Sequence, residues 1–280
     1  MATNFGIANN YNLFVLGNMD MEQSHVKGRA ASGGNATLNE YEIGEDIAKI
    51  TESDSDNSLV IGGDLNIINL TNFSGNTIKG TDSNILNYIS DCQKGYLKNG
   101  KPIDFFQAKT YLTCASLYWS HLKPTGETDV IFGQLTLTGT NKDINIFYIE
   151  GDNIKDSGYS FNQLTGINII VPSDSTVLIN ILGSNIVFGS YQILINGNKP
   201  ASNDAKKIVW NFPQAASWRN GETTIYGSVI APNASAVTTY GKLFGTMIFS
   251  SIQGNGLFYN ELFTGNLPEA ESCKSENFHI

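Results

Sequence analysis

The residues of this 280-residue chain with the widest chemical range are few and scattered: His25, His121 and His279, Cys92, Cys114 and Cys273, and the arginines Arg29 and Arg219. No His-x-x-x-His or Cys-x-x-Cys spacing joins any of them, so a transition-metal centre is not expected and the histidines read as surface or cap residues. Glycoside cleavage would need two carboxylates across a sugar cleft. The acidic residues available for it, Asp129, Asp143, Glu150 and Asp174, stand beside Gly, Asn, Lys or Ser, where turn formation explains them. A polysaccharide lyase would want clustered cations, and two arginines are too few. No Gly-x-Ser-x-Gly elbow is present, and Gly33-Gly34-Asn35 and Gly62-Gly63-Asp64 lack the following Lys of a phosphate loop. The expectation is a protein without a catalytic site.

Ligand-binding candidates remain. Asp54, Asp56 and Asp64 are hard oxygen donors for calcium, but no Asp-x-Asp-x-Asp-Gly loop closes around them and a solvated acidic loop accounts for them. No other cofactor is expected. The row Thr136, Thr138, Thr140 could present hydroxyls on one strand face, though strand propensity explains threonine first. Of the aromatic candidates Tyr118, Trp119, Trp210, Trp218 and Tyr240, Trp119 and Trp210 fall by pattern in the core. Trp218, in Ser217-Trp218-Arg219-Asn220-Gly221, reads as exposed and suited to stacking on a ligand together with Arg219 and Tyr240. For the cysteines two readings stay open. A Cys92–Cys114 pair would leave Cys273 for an intermolecular disulfide, or all three are reduced and partly buried.

These residues must be positioned by strands. Hydrophobic residues make up 41% of the chain and charged ones 15%, with Gly 28, and β-branched residues abound beside Gly and Asn, which suits short strands joined by tight corners. The segments Gly28-Arg29-Ala30-Ala31-Ser32-Gly33-Gly34-Asn35-Ala36-Thr37-Leu38, Leu59-Val60-Ile61-Gly62-Gly63-Asp64-Leu65-Asn66-Ile67 and Ile225-Tyr226-Gly227-Ser228-Val229-Ile230-Ala231-Pro232-Asn233-Ala234 share one pattern. Each runs up to a corner and restarts as a new strand, as an irregular solenoid would. Further strands are expected at 130–132, 134–138, 144–149, 166–171, 176–181, 185–188, 192–196, 207–211, 224–230, 243–249 and 256–263. Runs such as Val177-Leu178-Ile179-Asn180-Ile181-Leu182 are continuously apolar but for Asn180 rather than alternating, which fits strands covered on both faces.

One stretch has a different period. Phe105, Ala108, Leu112, Ala115, Trp119 and Leu122 recur every three or four residues, which predicts one helix over about 102–122. The predicted fold is mainly β: a right-handed parallel β-solenoid (β-helix) in one domain, 1–268, with this helix packed alongside and a polar tail, 269–280. An antiparallel sandwich is the structural alternative.

The net charge of −9 argues against nucleic acid as a partner. No run approaches the length of a membrane span, so membrane insertion is not expected. No basic region followed by an apolar stretch opens the chain, so export by a removed signal or by another route is expected.

The ordered set Tyr11-Asn12-Leu13-Phe14-Val15-Leu16-Gly17, the Gly28 and Leu59 segments above, Pro102-Ile103-Asp104-Phe105, Leu135-Thr136-Leu137-Thr138-Gly139-Thr140, Val209-Trp210-Asn211-Phe212-Pro213-Gln214-Ala215, the Gly227 segment, Gly254-Asn255-Gly256 and Phe263-Thr264-Gly265-Asn266-Leu267-Pro268 resembles the choice-of-anchor A domain family. These are adhesive modules of bacterial surface proteins, sometimes described as collagen-binding. The resemblance implies an ice-binding-like adhesin architecture and a place on a bacterial cell or spore surface. It also implies a protein or glycan ligand on a host, matrix or neighbouring surface. Self-association into a coat or appendage is the alternative, and a β-helical carbohydrate-active enzyme comes third.

Overall fold

The structure is a computed structural model that describes residues 4–47, 56–93 and 95–274. Its core is a solenoid of parallel strands with three faces. The first face is one continuous parallel ladder that joins Ile144–Glu150, Thr176–Leu182, Ile208–Asn211, the start of Ser228–Phe244, the start of Met247–Tyr259, Leu13–Val15, Ala30–Ser32, Asn57–Ile61, Asn76–Lys79 and Leu97–Asn99. Ten strands at about 4.8 Å make a wall roughly 43 Å long. Its order shows how the chain is wound. Leu13 pairs with Met247, so the first and last coils meet in the middle of the stack. The chain coils outward from there to Asn99, crosses back as the helix, and coils inward from the other end.

The apolar runs have the predicted cause. In each first-face strand the central residue points outward and its neighbours point inward. Phe14, Ala31, Val60, Leu178, Val209, Ile230 and Ile248 form one buried cluster with the helix, whereas Leu13, Val15, Leu59, Ile61, Val177, Ile179, Trp210 and Phe249 belong to the interior cluster. A strand covered on both sides has no polar alternation to show.

The helix runs Phe105–Ser120. It begins later than the 102–122 predicted because Asp104 is its N-cap, accepting from the Gln107 N–H at 2.9 Å. Ala108, Leu112, Ala115 and Trp119 are buried against the first face, as their spacing required. Two stacked asparagines lock the helix to that face. Asn211 donates to the Ser116 carbonyl at 2.8 Å and to Asn180 Oδ1 at 2.8 Å, and Asn180 donates to the Trp119 carbonyl at 3.0 Å. The Ser116 hydroxyl completes the network by donating to Asn211 Oδ1 at 2.6 Å. The coils thereby add partners to carbonyls in the last turns of the helix, including that of Trp119, which also accepts from the Leu122 N–H at 3.3 Å.

The cysteine pairing differs from the Cys92–Cys114 bond considered from sequence. Cys114 is bonded to Cys273, with Cα atoms 5.6 Å apart. The chain after Phe263 folds back along the helix, where the Trp119 indole donates to the Pro268 carbonyl at 2.9 Å and Leu267 and Ala270 join the helix-side cluster. Cys273 is therefore a buried intramolecular partner rather than a thiol in a polar tail, while Cys92 lies on the strand Ile85–Gln93 at the far end of the stack.

The third face is divided. One part stacks the strand Thr224–Tyr226 on the ends of Ser228–Phe244, Met247–Tyr259, Met19–Val26, Ala36–Ile43 and Leu65–Asn72. The other is a four-stranded sheet of Glu127–Ile131, Gln134–Thr138, Gly166–Ile170 and Gln192–Ile195. Gln192–Ile195 and Thr224–Tyr226 occupy adjacent coils yet do not pair.

Candidate binding surface

The second face is a continuous parallel stack of strands. It stacks Asn185–Phe188, Ser217–Asn220, the middle of Ser228–Phe244, the middle of Met247–Tyr259, and the leading halves of Met19–Val26, Ala36–Ile43, Leu65–Asn72 and Ile85–Gln93 in parallel register. Strand alternation sends every second side chain outward. One outward row reads Val187, Arg219, Val237, Gln253, Asp20, Thr37, Asn66, with Asn87 continuing it. None of the described elements packs over this row.

A side-chain ladder fixes one border of the face. The N–H of Asn35 donates to Asn18 Oδ1 at 3.0 Å, that of Asp64 to Asn35 Oδ1 at 2.9 Å, and that of Asn84 to Asp64 Oδ1 at 2.7 Å. The glycines before these residues are required by close stacking of the coils. A Cβ on Gly63 would stand 2.4 Å from Asn35 Oδ1 and 2.6 Å from the Gly34 carbonyl carbon. Gly-Gly-Asn and Gly-Gly-Asp are thus corner motifs.

The opposite border, where the chain bends into the third face, places Gln23, Glu40, Asn69 and Tyr240 in the left-handed region, with φ between 48° and 58°. Non-glycine residues adopt that conformation uncommonly. Here it turns each coil and leaves the side chain projecting, Tyr240 at 63% exposed and the Gln23 amide donating to Glu40 at 3.0 Å.

Beyond that corner, on the third face, a stack of rings runs along the axis. Tyr226 and Phe244 lie 5.0 Å apart and Phe244 and Tyr259 4.0 Å, with planes within 11°. The Lys27 ammonium sits 5.4 Å from the Tyr259 ring centre and 3.0 Å from Glu45, which in turn lies 3.3 Å from His25 Nε2, while His25 Nδ1 is 3.1 Å from Glu42. The hydrogen bond to Glu45 raises the Lys27 pKa, and Lys27 correspondingly lowers that of Glu45.

The sequence-predicted site residues separate on this frame. Trp218 is not exposed: it is fully buried, 4.9 Å from the Phe249 ring and 5.8 Å from Phe188. Its polar neighbours misled the reading, because alternation turns Ser217 and Arg219 outward and the residue between them inward. Arg219 and Tyr240 are both exposed at the second face, Arg219 beside Val237 and Tyr240 at the corner three residues beyond Val237. Trp119 and Trp210 are in the core as expected.

Of the calcium candidates, Asp56 is paired with Arg29 at 3.0 Å, Asp64 belongs to the corner ladder, and Asp54 lies outside the described residues. His279 lies outside them as well. Thr136 and Thr138 face outward but pair laterally with Asn168 and Ile170, so no threonine array extends from them. Asp129, Asp143, Glu150 and Asp174 are all exposed. Glu150 ends the seven-residue strand that Asp143 precedes, and a strand of that length, roughly 23 Å, exceeds the span of a glycosidase carboxylate pair, ~5–9.5 Å.

Sequence reasoning missed the apolar ends of the solenoid. Phe132 is 88% exposed at the tip of the hairpin joining Glu127–Ile131 to Gln134–Thr138, and Leu86 and Tyr96 are 63% and 68% exposed at the other end. Phe132 lies in the strand expected at 130–132, and the structure instead places it in the turn. The signal was Gly133 after it, since φ of 50° and 79° at the two residues makes a two-residue hairpin turn.

A protein-family model described as "Putative Ice-binding-like adhesive domain" matches residues 4–260. The chain belongs to the ice-binding-like adhesive domain family. A search of curated proteins finds no match to this adhesive-family chain. Solved structures similar to it include an ice-binding protein from the Antarctic ascomycete Antarctomyces psychrotrophicus, 15% identical over 94% of this chain and 98% of that one with a TM-score of 0.41. Another is an ice-binding protein from an Antarctic biological consortium, 15% identical over 92% and 90% with a TM-score of 0.40.

Proposed function

We propose that this chain is a non-catalytic adhesive domain that acts outside the cell and holds an extended ligand against its second face. The carrying observation is the uncovered outward row from Val187 to Asn87. Its longest uniform part, Asp20, Thr37, Asn66 and Asn87, consists of short polar side chains set at about 4.8 Å intervals on a hydrogen-bonded frame that loses little entropy on binding. Such a surface suits a repetitive partner, a matrix protein, glycan strand or neighbouring surface protein, with Arg219 and Tyr240 as its larger anchors. The ordered motifs shared with choice-of-anchor A modules support a bacterial cell or spore surface as its setting. Ice is a poorer fit, because Asp20, Glu22 and Arg219 put charged groups across the face.

The test measures retention of the purified domain on fibrillar collagen, peptidoglycan and intact bacterial cells, with thermal hysteresis of ice growth measured in parallel. The parent should be retained on at least one surface without hysteresis. Thr37→Arg with Gln253→Arg should weaken that retention about tenfold, while Lys109→Glu on the helix should not. Equal retention of all three proteins would refute the assignment of the face, and product release from a polysaccharide panel would refute the non-catalytic reading.

A second reading, end-to-end self-assembly, is favoured by Ile131 and Phe132 at one end of the stack and Ile85, Leu86, Ile89 and Tyr96 at the other. Exposed strand edges with apolar side chains are templates for pairing. Sedimentation across a concentration series separates the readings: assembly predicts growing particles that Phe132→Ser abolishes.

A further inference from the structure

We infer that the Cys114–Cys273 disulfide is a mechanical clasp: traction entering the domain from its C-terminal side passes into the helix and bypasses the last strand, so the second face keeps its register under tension. A dithiol reductant opens the clasp. This rests on the adhesive reading of the second face, because a domain that holds a ligand must resist being pulled from it.

The winding creates the need. The last strand of the chain, Met247–Tyr259, stands in the middle of the stack, with Ser228–Phe244 on one side and Leu13–Val15 and Met19–Val26 on the other. It supplies Gln253 to the outward row of the second face. Traction on its C-terminal end would part its ladder bonds one after another and split that face at its centre. The segment that follows has no ladder to share the force. Between Tyr259 and Cys273 the chain forms no strand and is fastened at scattered points. The Thr264 N–H donates to the Lys206 carbonyl at 2.9 Å and the Asn266 N–H to the Thr176 hydroxyl at 2.9 Å, while the Leu267 N–H donates to Asn4 Oδ1 at 3.0 Å. The Trp119 indole reaches the Pro268 carbonyl at 2.9 Å. Hydrogen bonds pulled in series yield one at a time, each at its modest net strength.

The disulfide changes where the force goes. Cys273 lies beyond all of these contacts, and Cys114 lies in mid-helix, with Leu112 and Ala115 buried against the first face beside it. Force arriving at Cys273 reaches the helix without stretching residues 260–272 or the strand before them. The helix is held at many points together, by Ala108, Leu112, Ala115 and Trp119 and by the bonds of Asn180 and Asn211 to the Trp119 and Ser116 carbonyls. These two asparagines belong to Thr176–Leu182 and Ile208–Asn211, not to the last strand. Cys114 is only half-buried, which leaves the bond open to attack. A dithiol displaces one sulfur, forms a mixed disulfide and leaves as its own disulfide, so Cys114 and Cys273 take up its two electrons and two protons as thiols.

The experiment couples the full chain to beads through a handle after Ile280 or, as control, before Met1. Detachment under flow is measured from whichever of fibrillar collagen, peptidoglycan or bacterial cells retains the domain at rest. With the C-terminal tether, dithiothreitol or Cys273→Ser should leave retention at rest unchanged and abolish it at a shear stress that the oxidised parent withstands. Reoxidation of the parent should restore its resistance, which covers a variant that folds poorly. With the N-terminal tether reduction should make no difference, whereas a bond that merely stabilised the fold would matter equally in both geometries. Stretching the chain between its two ends in optical tweezers tests the same bond without a ligand. The oxidised chain should release about 57 nm less contour length than the reduced one, for a separation of 159 residues at ~3.6 Å each. Equal release in the two states, equal shear resistance with the C-terminal tether, or equal weakening with both tethers would overturn the clasp. Failure of every surface to retain the parent at rest would refute the adhesive reading alone, because the stretching measurement still decides the force path.

Discussion

Replacing Cys114 or Cys273 with serine opens a cross-link that spans 159 residues of sequence. In the chain-entropy account a disulfide acts by restricting the unfolded ensemble, with a stabilisation of about 4.7 kcal/mol for a 100-residue loop that grows slowly with length. For this loop the same relation gives about 5 kcal/mol. Converting that to a melting shift uses an unfolding entropy of ~2.1 cal/mol/K per residue, or roughly 0.6 kcal/mol/K for the whole chain, which predicts a Tm lower by about 8 °C. Calorimetry of the parent, each single variant and the double variant should give the same loss in all three variants, because either substitution removes the whole bond. Peptide mapping without reductant should recover Cys114 joined to Cys273, and a non-reducing gel should show a monomer. Recovery of a Cys92–Cys114 peptide, a disulfide-linked dimer, or a Tm unchanged by reduction would refute the reasoning.

Three further outcomes follow from buried polar groups. Asn211→Ala removes the donors to Ser116 and Asn180 and leaves their oxygens buried, so denaturant unfolding should show a loss of about 2–4 kcal/mol; a loss below ~1 kcal/mol would mean the helix docks without this network. Thr238 is buried with its hydroxyl unpaired, so Thr238→Val should be neutral or stabilising by about 1 kcal/mol, and a clear destabilisation would point instead to a water shared with the neighbouring Asn220. Burial raises the Tyr11 pKa to about 12, partly opposed by Arg29. A raised folded-state pKa gives stability that is complete below the unfolded value near 10 and lost as pH climbs through 12, by roughly 2–3 kcal/mol. Tyr11→Phe should flatten that alkaline decline in denaturation curves measured from pH 9 to 12, and an identical decline would exclude Tyr11 as a source.

How much of this was legible in the sequence depends on whether the signal was local. The helix was, because Ala108, Leu112, Ala115 and Trp119 carry its period themselves, and only the Asp104 cap moved its start. The doubly covered strands were legible too, since a run such as Val177 to Leu182 shows no polar alternation, its one polar residue, Asn180, being buried against the helix. The winding was not. Leu13 lies against Met247, and one coil advances from Leu13 to Ala30 while another advances from Ile144 to Thr176, so no fixed period marks the coils. The cysteine pairing failed for the same reason, being set by where the chain after Phe263 returns. Trp218 failed differently: its neighbours are polar, and only the strand register decides that it points inward.

The same distinction bears on function. Among the described residues, His25 is held between Glu42 and Glu45 on the outside of the solenoid. What the fold does bring together is repetition. Asn18, Asn35, Asp64 and Asn84 stand in one ladder, Gln23, Glu40, Asn69 and Tyr240 along one bend, and Tyr226, Phe244 and Tyr259 in one stack. The first two rows cost close packing or an unusual backbone angle at successive coils, and the rows border or adjoin the face that none of the described elements covers. Strain and glycine requirements spread evenly along an axis define a surface rather than a point. A surface of regular spacing gains most from a partner that is also extended.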